Sequence, residues 1–297
     1  MNPPPHPTRT LPRANVIMFA AKVFMERILP KKSLGQHFLT DRNIAEKIVR
    51  QFGAKPEEVV VEIGPGEGAL TGLLVEHGCR LIAIELDPRA AERTRKQYHG
   101  KVEVMEQDFL TIDLAQIAAQ QGVERLRVIG NIPYYITSPI LFHLIEARAA
   151  VGDATLMMQL EVAERLVATP RTKEYGILAV ALQTHAEVKK LFNVGPRCFY
   201  PPPNVNSAVV QLRFAERPQL EGIAKQHQQL VRAAFSQRRK TLRNSLAQLI
   251  GNPEHREELF RTAGIGPQQR AEELTIEDFL RLARVFAQTQ TGGRREP

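Results

Sequence analysis

Four consecutive residues, Asn131-Ile132-Pro133-Tyr134, combine groups suited to gripping a flat ring that carries an amino group. An amide oxygen and a backbone carbonyl held rigid by proline can both accept hydrogen bonds from an exocyclic NH2. The adjacent aromatic ring can stack on the base that bears it. Such a grip shifts electron density onto the amine nitrogen and makes it a better nucleophile. A hydride-transfer enzyme has no use for it. A tetrapeptide of this kind also occurs as a bare turn, so its position matters: it follows the apolar run Arg127–Gly130, which reads as a strand.

A second stretch, Val59–Gly68 (VVVEIGPGEG), pairs an apolar strand with a glycine-rich turn, and Ala69-Leu70 then opens a helix. Glycine lets the backbone turn sharply and approach a ligand closely. Strand, turn and helix together describe a nucleotide-cofactor site at the carboxyl edge of a parallel sheet. Gly64, Gly66 and Ala69 also fit a nicotinamide-binding fingerprint, with Glu85 roughly where its ribose-binding acid would fall. The glycine turn therefore leaves the cofactor open.

Glu85 ends the next strand, and Asp108-Phe109 follows the one after. In a doubly wound sheet these ends lie along one crevice with the glycine turn. Glu85 suits the paired hydroxyls of a ribose, and Asp108 suits an exocyclic amine on an adenine, with Phe109 packing nearby. With the amine grip at Asn131–Tyr134, the cofactor that fits is S-adenosylmethionine, whose sulfonium methyl reacts without a metal. The protein then supplies alignment and a matched electrostatic surrounding.

The elements that must position these groups alternate regularly. Strands are expected at Val59–Ile63, Arg80–Glu85, Val102–Glu106, Arg127–Gly130 and Ala154–Gln159. Helices are expected at Leu70–His77, Pro88–His99, Ile112–Gln121 and Pro139–Glu146. A short helix capped by Asp41 and ending near Gly53 precedes them. Two further strands, His185–Phe192 and Ala208–Phe214, imply an antiparallel hairpin at the sheet edge with Pro201–Pro203 outside its ladder. Past Ala215 only helices are expected, at Ile223–Phe235, Arg239–Ile250, Glu254–Ala263 and Ile276–Gln288.

The fold class is thus α/β, a doubly wound Rossmann-like sheet with an antiparallel edge hairpin, followed by a small all-α domain. The chain divides into a disordered leader (1–30), a methyltransferase domain (31–215), a helical RNA-binding domain (216–288) and a disordered tail (289–297). Pro3, Pro4, Pro5 and Pro7 mark the leader, and Met18 or Met25 could equally begin the protein.

Composition narrows the partners. Of 297 residues, 43% are hydrophobic and 24% charged, ordinary for a protein with a real core. Lys plus Arg outnumber Asp plus Glu by 40 to 32, a net charge of +8 that favours a polyanionic partner. Arg238, Arg239, Lys240 and Arg243 crowd one stretch with Asn244 and Ser245, a set suited to phosphates and riboses, although such a run can be only a solvated face. Cys79 and Cys198 have no companions at metal-ligand spacing, so no metal is expected and the protein reads as reduced and cytoplasmic. No apolar run approaches the ~20 residues of a membrane span.

These residues carry a family resemblance. From Lys31 to about Phe286 the chain resembles the bacterial small-subunit ribosomal RNA adenine N6,N6-dimethyltransferases. The matching segments are KKSLGQHFL (31–39), EIGPGEGALT (62–71), IELD (84–87), QDF (107–109), GNIPYYIT (130–137) and FYPPPNVNSAVV (199–210). AAFSQRRKTLRNSL (233–246) and GIGPQQRAEELTIEDFLRLA (264–283) are closer to the small-subunit branch. The resemblance implies that Gln36-His37-Phe38-Leu39 forms a lip over the methionine end of the cofactor, with His37 and Leu39 at the site. Gly64 would contact the cofactor's backbone, Glu85 its ribose and Asp108 its adenine. Asn131 would serve both cofactor and catalysis, Pro133 and Tyr134 would grip the target adenine, and Phe199 would close the other face of the base. His37 stands where the family more often has asparagine.

The activity implied is transfer of two methyl groups to N6 of each of two adjacent adenines in the 3′-terminal hairpin loop of 16S rRNA. The partner implied is the immature small ribosomal subunit, met by a monomer. Two other readings stay open. One is an enzyme acting on large-subunit rRNA. The other is a ribosome-assembly factor whose binding matters more than its methylation.

Overall fold

In this computed structural model, residues 28–237 and 239–292 are described. Most of the expected leader therefore lies outside the described residues, as do Arg238 and the last five residues of the expected tail. Ile28 is buried against Phe38 and Ala90, and its amide donates to Glu67 Oε1 at 2.7 Å. Residues 289–292 continue the last helix.

Among the described residues the strands are β1 (Phe38–Leu39), β2 (Val59–Ile63), β3 (Arg80–Glu85), β4 (Val102–Glu106), β5 (Leu126–Asn131), β6 (Val151–Gln159), β7 (Ala186–Val194), β8 (Phe199–Tyr200) and β9 (Ser207–Phe214). The helices are α1 (Arg42–Phe52), α2 (Thr71–Glu76), α3 (Pro88–Gln97), α4 (Leu114–Gln120), α5 (Thr137–Glu146), α6 (Leu160–Leu166), α7 (Ile177–Gln183), α8 (Ala224–Ser236), α9 (Leu242–Ser245), α10 (Pro253–Ala263) and α11 (Ile276–Gly292).

Seven strands form one sheet in the order β4-β3-β2-β5-β6-β9-β7. The first five run parallel, and β9 is antiparallel to both of its neighbours. The expected hairpin is present at the edge, but its later strand is the inner one: β9 inserts between β6 and β7. Val59, Val60, Val61, Glu62 and Ile63 are all buried, as a central strand covered on both faces requires. One layer packs α1 and α2 on the sheet, through Ile48, Phe52 and Leu74. The other packs α4, α5, α6 and α7, through Leu114, Ile140, Leu166 and Leu178.

The order reverses between β2 and β5, which opens a crevice at their carboxyl ends. Register levels the functional residues there. Ile63 pairs with Ile84 on one side and with Gly130 on the other. Gly64, Glu85 and Asn131 therefore leave the sheet at the same height. Gly130 is needed for this closeness, because a Cβ on it would stand 2.8 Å from the Ile63 carbonyl oxygen.

At the opposite end of the sheet Arg127 ties the layers together. It bonds Asp153 (Nε–Oδ1, 2.8 Å) and Glu58 (Nη1–Oε2, 2.7 Å), donates to the Phe52 and Gly53 carbonyls, and lies over the Phe52 ring.

Helices α8 to α11 build a second core around Leu230, Phe260 and Phe279. Ala168, Tyr175, Ala179 and Val180 belong to this core, although they precede the boundary expected near Ala215. Tyr175 is fully buried, and its hydroxyl donates to the Leu274 carbonyl at 2.9 Å. The expected helix Arg239–Ile250 shrinks to the single turn α9. The loop before α11 captures its amides: Leu242 N–H donates to Gln269 O at 2.7 Å and Arg243 N–H to Pro267 O at 3.0 Å.

Candidate active site

The crevice is built by four strand ends and one crossing lip. At the first, Gly64 and Gly66 hold φ of 63° and 56°, a region that other residues rarely adopt. A Cβ on Gly64 would meet nothing, so the backbone there is open to a ligand, whereas one on Gly66 would stand 2.9 Å from the Phe38 ring. The glycine turn thus lies directly beneath the lip.

At the second, Glu85 is nearly buried and binds the turn to its own strand. Its Oε2 accepts from Gly66 N–H at 3.0 Å and its Oε1 from Asp87 N–H at 2.8 Å. Burial pushes its carboxyl up, and the two backbone donors partly offset this. Each carboxylate oxygen has a second lone pair, which can receive one of two neighbouring hydroxyls. At the third, Asp108 caps the turn Phe109–Thr111 through Oδ1 (Leu110 N–H, 3.0 Å). Its Oδ2 has no partner among the described residues and can accept an amine.

At the fourth, Asn131 ends β5. Its Nδ2 donates one of its two hydrogens to the His37 carbonyl at 2.9 Å, which fixes the orientation of the amide against the lip. The Oδ1 is thereby left to accept. Pro133 caps the 3-10 turn Tyr134–Ile136, and its carbonyl receives only long contacts, from Ile136 N–H at 3.3 Å and Thr137 Oγ1 at 3.4 Å. Tyr134 shares a 2.6 Å hydrogen bond with Ser207 Oγ on β9, and burial pushes its phenol up.

The lip is the segment that ends in β1. Its two residues pair with β8, Phe38 with Tyr200 and Leu39 with Phe199. His37 Nδ1–H donates to the Pro201 carbonyl at 2.7 Å, which fixes the orientation of the ring. The imidazole stacks on Tyr134 at 5.6 Å between centroids. An asparagine would lack this ring contact, so histidine replaces one lip interaction with another.

The crevice lining includes His37, Leu39, Gly64, Glu85, Asp108, Asn131, Pro133 and Tyr134. Phe199 is the exception. It is only 4% exposed, lies outside that lining, and belongs to the core cluster that holds Leu39, Phe52 and Val209. Its pairing with Leu39 on a two-residue strand is what turns the ring inward.

The basic run stands apart from the crevice lining. Arg239 and Lys240 are exposed in the turn before α9, while Arg243 makes a two-point contact with Glu257 (2.9 and 3.0 Å).

Two functional residues escaped the sequence reading. Asp87 is fully buried and gathers Arg89, Gln36 and Lys31 onto one carboxylate, tying the lip's approach to the end of β3. The Arg89 guanidinium, above all, holds that carboxyl well below the usual carboxylate range. Its signal was local only, an acid before Pro88 that reads as a helix cap. Glu62 lies inside the apolar run of β2 and lines the crevice. Burial pushes its carboxyl up to about 8, and its Oε2 is buried without a partner. An acid in a five-residue strand otherwise made of Val and Ile was the available signal.

These groups fit S-adenosylmethionine: an open glycine backbone, a ribose acceptor, an adenine acceptor and an orphaned buried oxygen. Among the described residues no cluster of His, Cys, Asp or Glu could hold a metal, and no helix is long and apolar enough to cross a membrane.

The chain matches the family described as ribosomal RNA adenine dimethylase over residues 29–288. It is 48% identical over 258 residues to the ribosomal RNA small subunit methyltransferase A of Chlorobium phaeobacteroides, covering 86% of this chain and 90% of that one. Among solved structures it is similar to a dimethyladenosine transferase from Plasmodium falciparum (TM-score 0.73, 26% identity, 86% and 98% covered). It is also similar to the 23S rRNA methyltransferase ErmE (TM-score 0.64, 31% identity, 84% and 98% covered). Sequence span, sheet order and crevice agree: the chain belongs to the ribosomal RNA adenine dimethylase family and is an S-adenosylmethionine-dependent methyltransferase.

Proposed function

We propose that this enzyme dimethylates N6 of two adjacent adenines in the 3′-terminal hairpin loop of 16S rRNA, acting as a cytoplasmic monomer on the immature small subunit. The observation that carries the chemistry is the divided amide of Asn131. One of its two N–H donors is engaged by the lip, which fixes the amide's orientation, and its Oδ1 has no partner among the described residues and is available to accept. Identity of 48% over 258 residues to a ribosomal RNA small subunit methyltransferase A favours the small subunit as substrate.

Bound S-adenosylmethionine supplies an electrophilic methyl. This chain's residues do the rest. Asn131 Oδ1 and the Pro133 carbonyl accept the two N–H bonds of the target amine and turn its lone pair toward that methyl. Tyr134, braced by Ser207 and His37, stacks on the extruded base. Each transfer leaves a protonated amine that releases one proton to water at the crevice mouth, so a single N–H remains after the first and one acceptor suffices for the second. Glu85 and Asp108 hold the ribose and adenine of the cofactor.

Arg239 and Lys240 supply phosphate contacts away from the crevice. Incubating each purified ribosomal subunit with the enzyme and labelled S-adenosylmethionine tests the substrate. Label in immature small subunits alone is expected, and label confined to large subunits would overturn the reading.

A further inference from the structure

Among the described residues, several large apolar side chains left exposed lie at or beside the crevice. Leu29, Leu86, Tyr135, Tyr200 and Val205 are each 44–72% exposed, and the first four are tied to the crevice or its lip. Leu86 and Tyr135 line it, Tyr200 pairs with the lip residue Phe38, and the Leu29 carbonyl is held by Arg89. An exposed apolar rim around a reactive crevice marks a surface that is covered in the working complex.

Tyr135 is the most telling of these. It is 56% exposed, and its hydroxyl has no hydrogen-bond partner among the described residues. It sits in the 3-10 turn Tyr134–Ile136, where successive side chains diverge by about 120°. Tyr134 reaches inward to Ser207, so Tyr135 projects toward the mouth. Its ring rests on Gly35 of the lip: a Cβ there would stand 2.9 Å from Cδ1 and 3.2 Å from Cε1. Gly35, at φ 55°, thus makes room for the Tyr135 ring.

We propose that Tyr135 is a stacking platform for the unpaired nucleotide next to the target adenine, and so a positioning residue for the second target. The inference rests on the two-adenine substrate proposed above. An exposed aromatic beside a base-binding pocket accepts any base through its π-face. With the two rings on consecutive residues, the pair of adenines can change places without the RNA leaving: one on Tyr134 at the reacting amine, the other parked on Tyr135.

The test uses the full chain, immature small subunits, and variants Tyr135→Ala, Tyr135→Phe and Gly35→Ala. Mass spectrometry of the nuclease fragment counts methyl groups on each adenine, and calorimetry reports S-adenosylmethionine binding. Tyr135→Ala is expected to raise the KM for subunits about 5- to 160-fold, the range of one missing base stack. It is also expected to accumulate fragments modified on one adenine only. Tyr135→Phe restores both, since only the ring is required. Gly35→Ala displaces the ring and reproduces the defect in part.

Methyl distributions and KM matching wild type in Tyr135→Ala would overturn the proposal. So would a defect that Phe does not rescue and that tracks weakened cofactor binding, since Tyr135 would then only prop the lip. If wild type itself places no methyl groups on paired adenines, the substrate reading fails instead.

Discussion

The divided role of Asn131 can be separated by two substitutions at one atom pair. Asn131→Asp keeps an oxygen where Oδ1 stands and puts a second where Nδ2 now donates to the His37 carbonyl at 2.9 Å. The acceptor for the target amine survives, but the lip loses its anchor and two oxygens face each other. Removing a hydrogen bond of this kind costs about 0.5–1.5 kcal/mol, or roughly 2- to 13-fold in affinity for the cofactor that the lip covers.

Asn131→Ala removes both ends. It should weaken the cofactor by a similar factor and also slow transfer by about 10²–10³ at saturating cofactor, as loss of one preorganised polar group does elsewhere. The assay is single-turnover transfer to immature subunits, paired with calorimetry of S-adenosylmethionine. The expected pattern is similar binding losses in both variants, with transfer falling much further in Ala than in Asp. Equal transfer losses without any change in binding would refute the division of labour.

Three further outcomes follow from other parts of the structure. Arg127→Ala should destabilise the fold by about 3–5 kcal/mol by stranding Asp153 and Glu58, read as a lower denaturation midpoint, and an unchanged midpoint would show the cluster is dispensable. Burial pushes His185 and His227 down to about 4, with Arg148 and Arg217 adding to the effect at His185. Because unfolded histidine titrates near 6.5, the stability held by these neutral rings is complete above that pH. It is lost as pH falls toward 4, by up to ~1.4 kcal/mol per unit for each ring. Thermal melts of His227→Gln should show a shallower acid loss than wild type, and an identical slope would contradict the assignment. Replacing Arg239 and Lys240 with Ala should flatten the log–log salt dependence of RNA binding by up to ~0.9 for each phosphate no longer neutralised, with cofactor affinity unmoved; an unchanged slope would make the turn a solvated surface.

Much of the crevice was legible because each functional residue sits where an apolar run ends. Glu85 and Asn131 are the last residues of β3 and β5, and Gly64 the first after β2, so strand boundaries located them. Asp41 capping α1 was equally local, its carboxylate accepting from Ile44 N–H. What escaped depends on distant partners. Asp87 is a hub only because Lys31 and Gln36, 56 and 51 residues away, come to it. Phe199 faces the core because of its pairing with Leu39, which no periodicity in FYPPP announces.

Helices α6 and α7 were not expected, since short runs such as ILAVALQ read as strand or helix alike. The insertion of β9 between β6 and β7 reflects strand order, which alternation does not encode. Arg239–Ile250 has helical composition, but the loop 264–270 takes the amides that a longer helix would use.

The central claim, that this crevice dimethylates paired adenines of small-subunit RNA, is most directly tested by mapping. Immature small subunits lacking the modification would be incubated with the wild-type chain and S-adenosylmethionine, and the 16S rRNA then sequenced by mass spectrometry of nuclease fragments. The account predicts N6,N6-dimethyladenosine at two adjacent adenines of the 3′-terminal hairpin loop, and none when Asn131→Ala is used for the same short time. Unmodified 16S rRNA, or methyl groups placed on bases other than adenine, would contradict it.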